Sequence, residues 1–219
     1  MNCAIMSDMK TACYFLCFLL LTCSLPAADY HIKIVEVKPI ESYPAQASVN
    51  GVTIAANPYS TDEETATAFD VKRLNSRGYF PVHVIVENNT SAYLTISTRN
   101  VLLFTPSGEQ LYSTPATIVV DDVVRSGLTQ KDPKKSKDEP ETLSKKGSPL
   151  TDFTSKELVT ASIDPGATID GFLFFFTRER KKNLLAGSTL YVPKVVEEGT
   201  QKSFGPFSIR LDKAIQEKK

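Results

Sequence analysis

The side chains best suited to catalysis are few in this chain, and they lie far apart in the sequence. His31 and His83 are its only histidines. A hydrolase needs a nucleophile, a base and an orienting acid within hydrogen-bond reach, and no Gly-x-Ser-x-Gly elbow accompanies either histidine. The sequence also has no His-Glu-x-x-His motif and no glycine-rich phosphate loop. We therefore interpret His83, in mid-strand, as a packed or solvated residue, and we expect no enzymatic activity, no metal and no cofactor.

Two pairs of neighbouring acids, Asp121–Asp122 and Glu197–Glu198, are the next candidates. Paired carboxylates can hold calcium or act in glycoside hydrolysis. Adjacent residues of one strand or helix point in different directions, so neither pair should bring both carboxylates to one point. The pattern favours solvated surface.

A basic cluster follows the most apolar segment of the chain; its members are Arg178, Arg180, Lys181 and Lys182. Lysine and arginine are common at exposed connections between strands, which favours a solvated loop. The alternative is a surface contact with anionic lipid or cell-wall polymer. Both interpretations place the four side chains at the surface.

All four cysteines lie at the amino terminus: Cys3, Cys13, Cys17 and Cys23. The apolar run Thr11–Leu21 after Lys10 is shorter than the ~20 residues that cross a bilayer and is typical of a signal-peptide core. We predict a signal peptide at residues 1–28, with translation beginning at Met1 or Met9. Its removal leaves at most one cysteine, which excludes a disulfide framework and a cysteine-ligated zinc site.

Two cleavage reactions fit the end of this segment. Residues 20–23, Leu-Leu-Thr-Cys, resemble the bacterial lipobox, which implies acylation of Cys23 and membrane contact through a lipid anchor. The alternative is signal-peptidase cleavage near Ala27-Ala28, which yields a freely secreted protein. Either reaction exports the protein to the periplasm or outer membrane of a bacterium. By resemblance to lipoprotein sorting, Ser24 favours the outer membrane.

Composition limits both the number of domains and the class of partner. The chain has 219 residues, with 25 lysines plus arginines and 25 aspartates plus glutamates. This length predicts one domain at residues 29–219. Because the chain has no positive surplus, a nucleic-acid partner is not expected. Residues 127–150 are rich in lysine and poor in apolar groups, which predicts a mobile, disordered loop.

Strand patterns dominate the rest. Alternation in Tyr79–Glu87 places Phe80, Val82, Val84 and Val86 on one face, and a hairpin with Tyr93–Ser97 is expected. The run Ala167–Phe176 is apolar on both faces and predicts a central, doubly covered strand. His31–Lys38 predicts a first strand, and about eight candidates occur at spacings typical of a sandwich.

Two segments favour helices. Thr61 or Asp62 is predicted to cap a short helix that reaches about Leu74, because a capping residue precedes two acids. The run Ala116–Arg125 is rich in β-branched residues, yet the spacing of its apolar residues and paired acids favours an amphipathic helix.

Three segments, Pro81–Asn89, Val101–Phe104 with Ser107-Gly108, and Asp164–Phe175, together resemble a loose class of exported bacterial proteins. The likeness covers roughly Tyr79 to Leu211. It implies a mainly β fold: an immunoglobulin-like, telokin-like β-sandwich with one or two short helices and a long lysine-rich loop. We expect a non-catalytic cell-envelope module that binds a protein or cell-wall partner or has a structural role. A periplasmic chaperone or assembly factor, or an envelope hydrolase, are the alternatives.

Overall fold

The computed structural model describes residues 30–125, 145–178 and 184–217. Cys23 and the whole predicted signal peptide lie outside these ranges, as do Arg180, Lys181 and Lys182 of the basic cluster. Arg178 is described and is exposed. No helix in the described ranges is long and apolar enough to cross a membrane.

The described residues form fourteen strands in three antiparallel sheets. The order in the largest is β14-β11-β6-β7-β10-β4-β3-β2; a second sheet has the order β13-β12-β5-β9, and β1 pairs with β8 alone. The bounds are β1 Tyr30–Ile32, β2 Gln46–Val49, β3 Val52–Pro58, β4 Tyr79–Asn88, β5 Leu94–Ile96, β6 Leu102–Phe104, β7 Gln110–Thr114, β8 Lys145–Gly147, β9 Ala161–Ile163, β10 Thr168–Phe176, β11 Thr189–Val192, β12 Val195–Glu197, β13 Ser203–Phe204 and β14 Phe207–Arg210.

Four short α-helices accompany the strands in these ranges: α1 Asp62–Ala68, α2 Ala116–Arg125, α3 Pro149–Lys156 and α4 Asp212–Glu217. Thr61 caps α1 in a reciprocal capping box with Glu64, as the sequence predicted. The predicted end near Leu74 is wrong, because α1 stops at Ala68 and Phe69 is extended. Phe69 is fully buried against other aromatic rings, so tertiary packing ends the helix. The helix predicted at Ala116–Arg125 is confirmed as α2.

Strand β10 lies between β7 and β4 in the middle of the largest sheet, and it is buried on both faces as predicted. Leu173 and Phe175 point into the core between the sheets. Phe172 and Phe174 point to the opposite face, beneath residues of α1, α2 and α3. Phe176, at the end of the strand, is 37% exposed.

Strand β4 has the predicted faces, with Phe80, Val82, Val84 and Val86 in the core between the sheets. The predicted hairpin is wrong. Strand β4 pairs with β3 and β10, whereas β5 pairs with β9 and β12 in the other sheet. Alternation fixes which side chains share a face, but it carries no information about which strand is the neighbour.

One apolar core fills the space between the two larger sheets, and strands of both contribute to it. The end strands of the larger sheet, β14 and β2, lie close together, so this sheet curls around the core. Helices α1, α2 and α3 cover part of its outer face. The mainly β prediction is confirmed, and the two sheets around one core are consistent with a β-sandwich.

The structure differs from two further predictions, the length of the first strand and the end of the lysine-rich loop. The strand predicted at His31–Lys38 is only Tyr30–Ile32, because its partner β8 is three residues long. Strand β8 and the start of α3 occupy the end of the predicted loop 127–150. Residues 127–144 of that loop lie outside the described ranges.

Candidate functional site

A depression of about 220 Å³ opens on the outer face of the larger sheet, above β10. Its walls come from three parts of the chain: Lys33–Val35 after β1, Ser155 and Lys156 at the end of α3, and Asp170–Phe172 of β10. Helices cover the outer face over Phe172 and Phe174, and the turn around Ile40 and Tyr43 covers it over β3 and β4. Because β10 lies in the middle of the sheet, the depression above it does too.

Gly171 sets the height of α3 above β10. The amide of Leu158 donates to the carbonyl oxygen of Phe172 at 2.9 Å, so the chain leaving α3 runs against β10. A Cβ atom at position 171 would lie 2.7 Å from the Leu158 nitrogen, a contact that only glycine avoids. This close approach brings Lys156 to the edge of the depression.

Lys156 is held by a buried carboxylate one helical turn earlier. Its Nζ lies 2.6 Å from Asp152 Oδ1 and donates to the carbonyl oxygen of Ala68 at 2.6 Å. The same ammonium lies 5.0 Å from the centre of the Phe69 ring. Asp152 is fully buried, and its Oδ2 accepts a hydrogen bond of 2.6 Å from the Tyr30 hydroxyl. Helical spacing places these partners together, and the burial holds the ammonium in one position.

Lys33 is held in a similar way from the other side. Its Nζ donates to the carbonyl oxygen of Ala66 at 2.5 Å and lies 4.0 Å from Asp70 Oδ1. Asp70 is largely buried and accepts a hydrogen bond from the backbone amide of His31. The amide of Asp70 in turn donates to the Tyr30 hydroxyl. Tyr30 therefore connects the two lysine–aspartate pairs.

The proton affinities of this network follow from its burial. Burial raises the pKa of the Tyr30 phenol, and the hydrogen bond and negative charge of Asp152 raise it further. Burial lowers the pKa of the Lys156 ammonium, Asp152 opposes that shift, and the positive charge of Lys33 adds to it. Two ammonium groups thus face the same depression closely enough to repel each other.

Asp170 brings the opposite charge to the depression. Its Oδ2 lies 2.7 Å from Nε2 of His83, and its side chain is 40% exposed. His83 is only 1% exposed, and its ring stacks on Phe172 with centroids 4.7 Å apart. The histidine lies beneath the depression and orients the aspartate, while Phe172 covers its ring.

The two acid pairs named from the sequence do not lie at this depression, whereas His83 lies beneath it. Asp121 and Asp122 lie on α2, and Asp122 contacts Tyr79. Glu197 ends β12 and lies 3.8 Å from Lys202, and Glu198 accepts a hydrogen bond from Thr95. In the described ranges no group of three or more histidine, cysteine, aspartate or glutamate side chains is arranged to hold a metal ion.

The groups that do converge were missed by sequence reasoning: Lys33, Asp70, Asp152, Lys156 and Asp170. One signal was present, since Asp152 and Lys156 are separated by one helical turn. The other contacts join distant residues, 122 positions apart for Tyr30 and Asp152 and 87 apart for His83 and Asp170. Periodicity within one segment does not report such pairs.

Comparison with known proteins yields distant structural neighbours. The yjhA protein of Bacillus subtilis aligns over 68% of this chain and 78% of its own, with 7% identity and a TM-score of 0.35. A candidate lipoprotein, ycdA of Bacillus subtilis subsp. subtilis str. 168, aligns over 80% of this chain and 41% of its own, with 14% identity and a TM-score of 0.36. No protein-family model matches the chain, and no curated protein matches it significantly. Neighbours this distant carry no argument about fold type or function.

Proposed function

We propose that this protein is a non-catalytic binding module exported to the bacterial cell envelope, and that the depression above β10 is its ligand site. One observation carries the proposal. Three charged groups at the depression are each held by a partner beneath it: Lys33 by Asp70, Lys156 by Asp152 and Asp170 by His83. Charged groups that are oriented before a ligand arrives lose little entropy when it binds.

Binding fits this geometry better than catalysis does. A general base must come within hydrogen-bond reach of the proton that it removes. The His83 ring is almost fully buried, and Phe172 stacks on it. Its Nε2 contacts Oδ2 of Asp170. The histidine is therefore suited to positioning Asp170, which makes the depression a recognition site.

The amino-terminal sequence supports export. The signal peptide at residues 1–28 and acylation of Cys23 would tether the module to a membrane in the periplasm or at the outer membrane. The first described strand, β1, starts at Tyr30, seven residues after Cys23. We also propose that the sandwich is of the immunoglobulin-like type, and that Arg178, Arg180, Lys181 and Lys182 contact anionic lipid or cell wall.

Mass spectrometry tests the export and anchoring. The full chain is expressed in a Gram-negative bacterium, and the mature protein is purified from membrane and periplasmic fractions. We expect a mature amino terminus at Cys23 that carries acyl chains, and a membrane association that Cys23→Ser abolishes while the control Cys17→Ser retains it. An unprocessed chain in the cytoplasm would contradict the proposal.

An activity assay tests the non-catalytic part. The purified mature protein is incubated with peptidoglycan, ester and glycoside substrates. We expect no turnover above that of His83→Ala. Hydrolysis that His83→Ala abolishes while the folded state persists would show that the depression is an active site.

A further inference from the structure

The depression above β10 carries unused hydrogen-bonding capacity of two kinds. The Lys156 ammonium has three donors, and its contacts with Asp152 and the carbonyl of Ala68 occupy two of them. The Lys33 ammonium makes one hydrogen bond, to Ala66, besides its longer ion pair with Asp70. Asp170 uses Oδ2 for His83, and its Oδ1 has no partner among the described residues. Donors of positive charge and an acceptor of negative charge therefore remain for a ligand.

The balance of charge decides which ligand these groups suit. The network has two positive groups, the ammonium groups of Lys33 and Lys156. It has three negative groups, the carboxylates of Asp70, Asp152 and Asp170. A simple anion such as phosphate could accept the remaining lysine hydrogen bonds, but Asp170 would repel it and would itself find no partner. A simple amine would leave the free lysine donors without an acceptor. A ligand that carries both charges satisfies both kinds of group.

The volume and lining of the depression narrow the class of ligand further. A volume of about 220 Å³ is smaller than the ~300–1,000 Å³ typical of pockets for drug-sized molecules. The lining is mostly polar, and Ile34 and Val35 add an apolar edge beside the charged groups. An α-amino acid is small enough for this volume, and it carries an amine and a carboxylate on one carbon.

We propose that the depression binds the zwitterionic group of an α-amino acid, free or at the end of a longer molecule. The ligand carboxylate meets the ammonium groups of Lys33 and Lys156, and the ligand amine meets Oδ1 of Asp170. His83 is a positioning residue that holds Asp170, and Tyr30 connects the partners of the two lysines. This inference deepens the proposed function, since it names the ligand class of the same depression.

Calorimetry with chemically blocked ligands tests the charge requirement. The common α-amino acids, in both L and D forms, are titrated at millimolar concentration into the mature protein. The tightest binder is then compared with its N-acetyl and carboxamide derivatives, each of which removes one charge. We expect both derivatives to bind about tenfold more weakly or worse, because each loses charge-assisted hydrogen bonds. A derivative of the same amino acid that is joined to a longer chain through its side chain keeps both the α-amine and the α-carboxylate. Its binding distinguishes a free amino acid from the end of a longer molecule.

Matched substitutions test the assignment of residues. We expect Asp170→Asn and Lys33→Met each to weaken binding about tenfold or more, while the exposed controls Asp164→Asn and Lys194→Met leave it unchanged. Lys33→Met keeps the test informative if Asp170→Asn disturbs the contact with His83. Thermal unfolding of each variant reports its folded state.

Three results would overturn the inference: no amino acid, free or joined through its side chain, binds at millimolar concentration, the blocked derivatives bind equally well, or inorganic phosphate binds in place of the amino acid. These failures are distinct from failure of the proposed function. A processed, exported protein without amino-acid binding would refute only the ligand class. Amino-acid binding by an unprocessed cytoplasmic protein would refute only the envelope location.

Discussion

The two faces of the larger sheet are both buried at β10, but their neighbours differ in chemistry. On the inner face Leu173 and Phe175 belong to an apolar core shared by the two sheets. On the outer face Phe172 and Phe174 lie under helices that also bury Asp152 and hold Lys156. Apolar burial supplies most of the stability of a fold, whereas a buried ion pair contributes little net stability and fixes orientation. Apolar burial on both faces stabilises the domain, and the outer face also positions charged groups.

Truncating a buried side chain on the inner face should lower the free energy of unfolding the most. Phe175 is fully buried, so Phe175→Ala removes its packing and leaves a cavity. We expect a loss of about 3–5 kcal/mol in the free energy of unfolding, measured by urea denaturation. Phe176→Ala, one residue later and 37% exposed, should lose about 1 kcal/mol. Equal losses at the two positions would mean that burial does not set the contribution of these phenylalanines.

Breaking the ion pair on the outer face should lower the free energy of unfolding by a smaller amount. Asp152→Asn leaves the Lys156 ammonium without its counter-charge, and we expect a loss of about 3 kcal/mol in urea denaturation. The double variant Asp152→Asn/Lys156→Met should recover most of that loss, because it removes the unpaired charge. A double variant as unstable as Asp152→Asn would show that the pair itself stabilises the fold.

The exposed pair of Glu197 and Lys202 is the control for this cycle. Its atoms are 3.8 Å apart, and the Lys202 side chain is 63% exposed. Glu197→Gln should change the free energy of unfolding by less than about 0.5 kcal/mol, because solvent screens the pair.

A pH dependence of about 1 kcal/mol also belongs to the outer face. Burial raises the pKa of Tyr59 from 10.0 to about 12. Between these values the unfolded chain loses the phenolic proton while the folded one keeps it. The stabilisation present below pH 10 is therefore lost as the pH rises through 12. At pH 11 the loss is about 1 kcal/mol.

Tyr59→Phe removes this contribution, so its free energy of unfolding should fall less steeply above pH 10 than that of the wild type. Tyr30 and Tyr79, whose pKa values are also raised, leave part of the slope in place. Urea titrations at pH 9, 10 and 11 measure the difference in slope. An unchanged slope in the variant would show that Tyr59 ionises equally in both states.

Features that depend on neighbouring residues were predicted well from the sequence. The alternation in β4 and the doubly apolar run in β10 assigned side chains to the correct faces. The capping box at Thr61 and the helix at Ala116–Arg125 were also predicted. These signals are local, because side-chain direction in a strand or helix follows from backbone geometry alone.

Features that depend on the order of strands were not predicted. Strand β5 pairs with β9 and β12 instead of β4, and β1 pairs with β8 across more than a hundred residues. Many strand orders bury the same apolar faces, so a pattern of faces does not select one of them. The outer-face network depends on that choice, since β1 supplies Tyr30 and β10 supplies Asp170.

The sequence by itself determined the mainly β class, the central position of the phenylalanine strand and an amino-terminal segment typical of export. Burial of apolar faces follows from periodicity and from the large free energy of removing them from water. Only the tertiary structure decided that Lys33, Lys156 and Asp170 face one depression. Their side chains meet because the chain after β1 and the end of α3 both cross β10, a coincidence in space that no local pattern encodes.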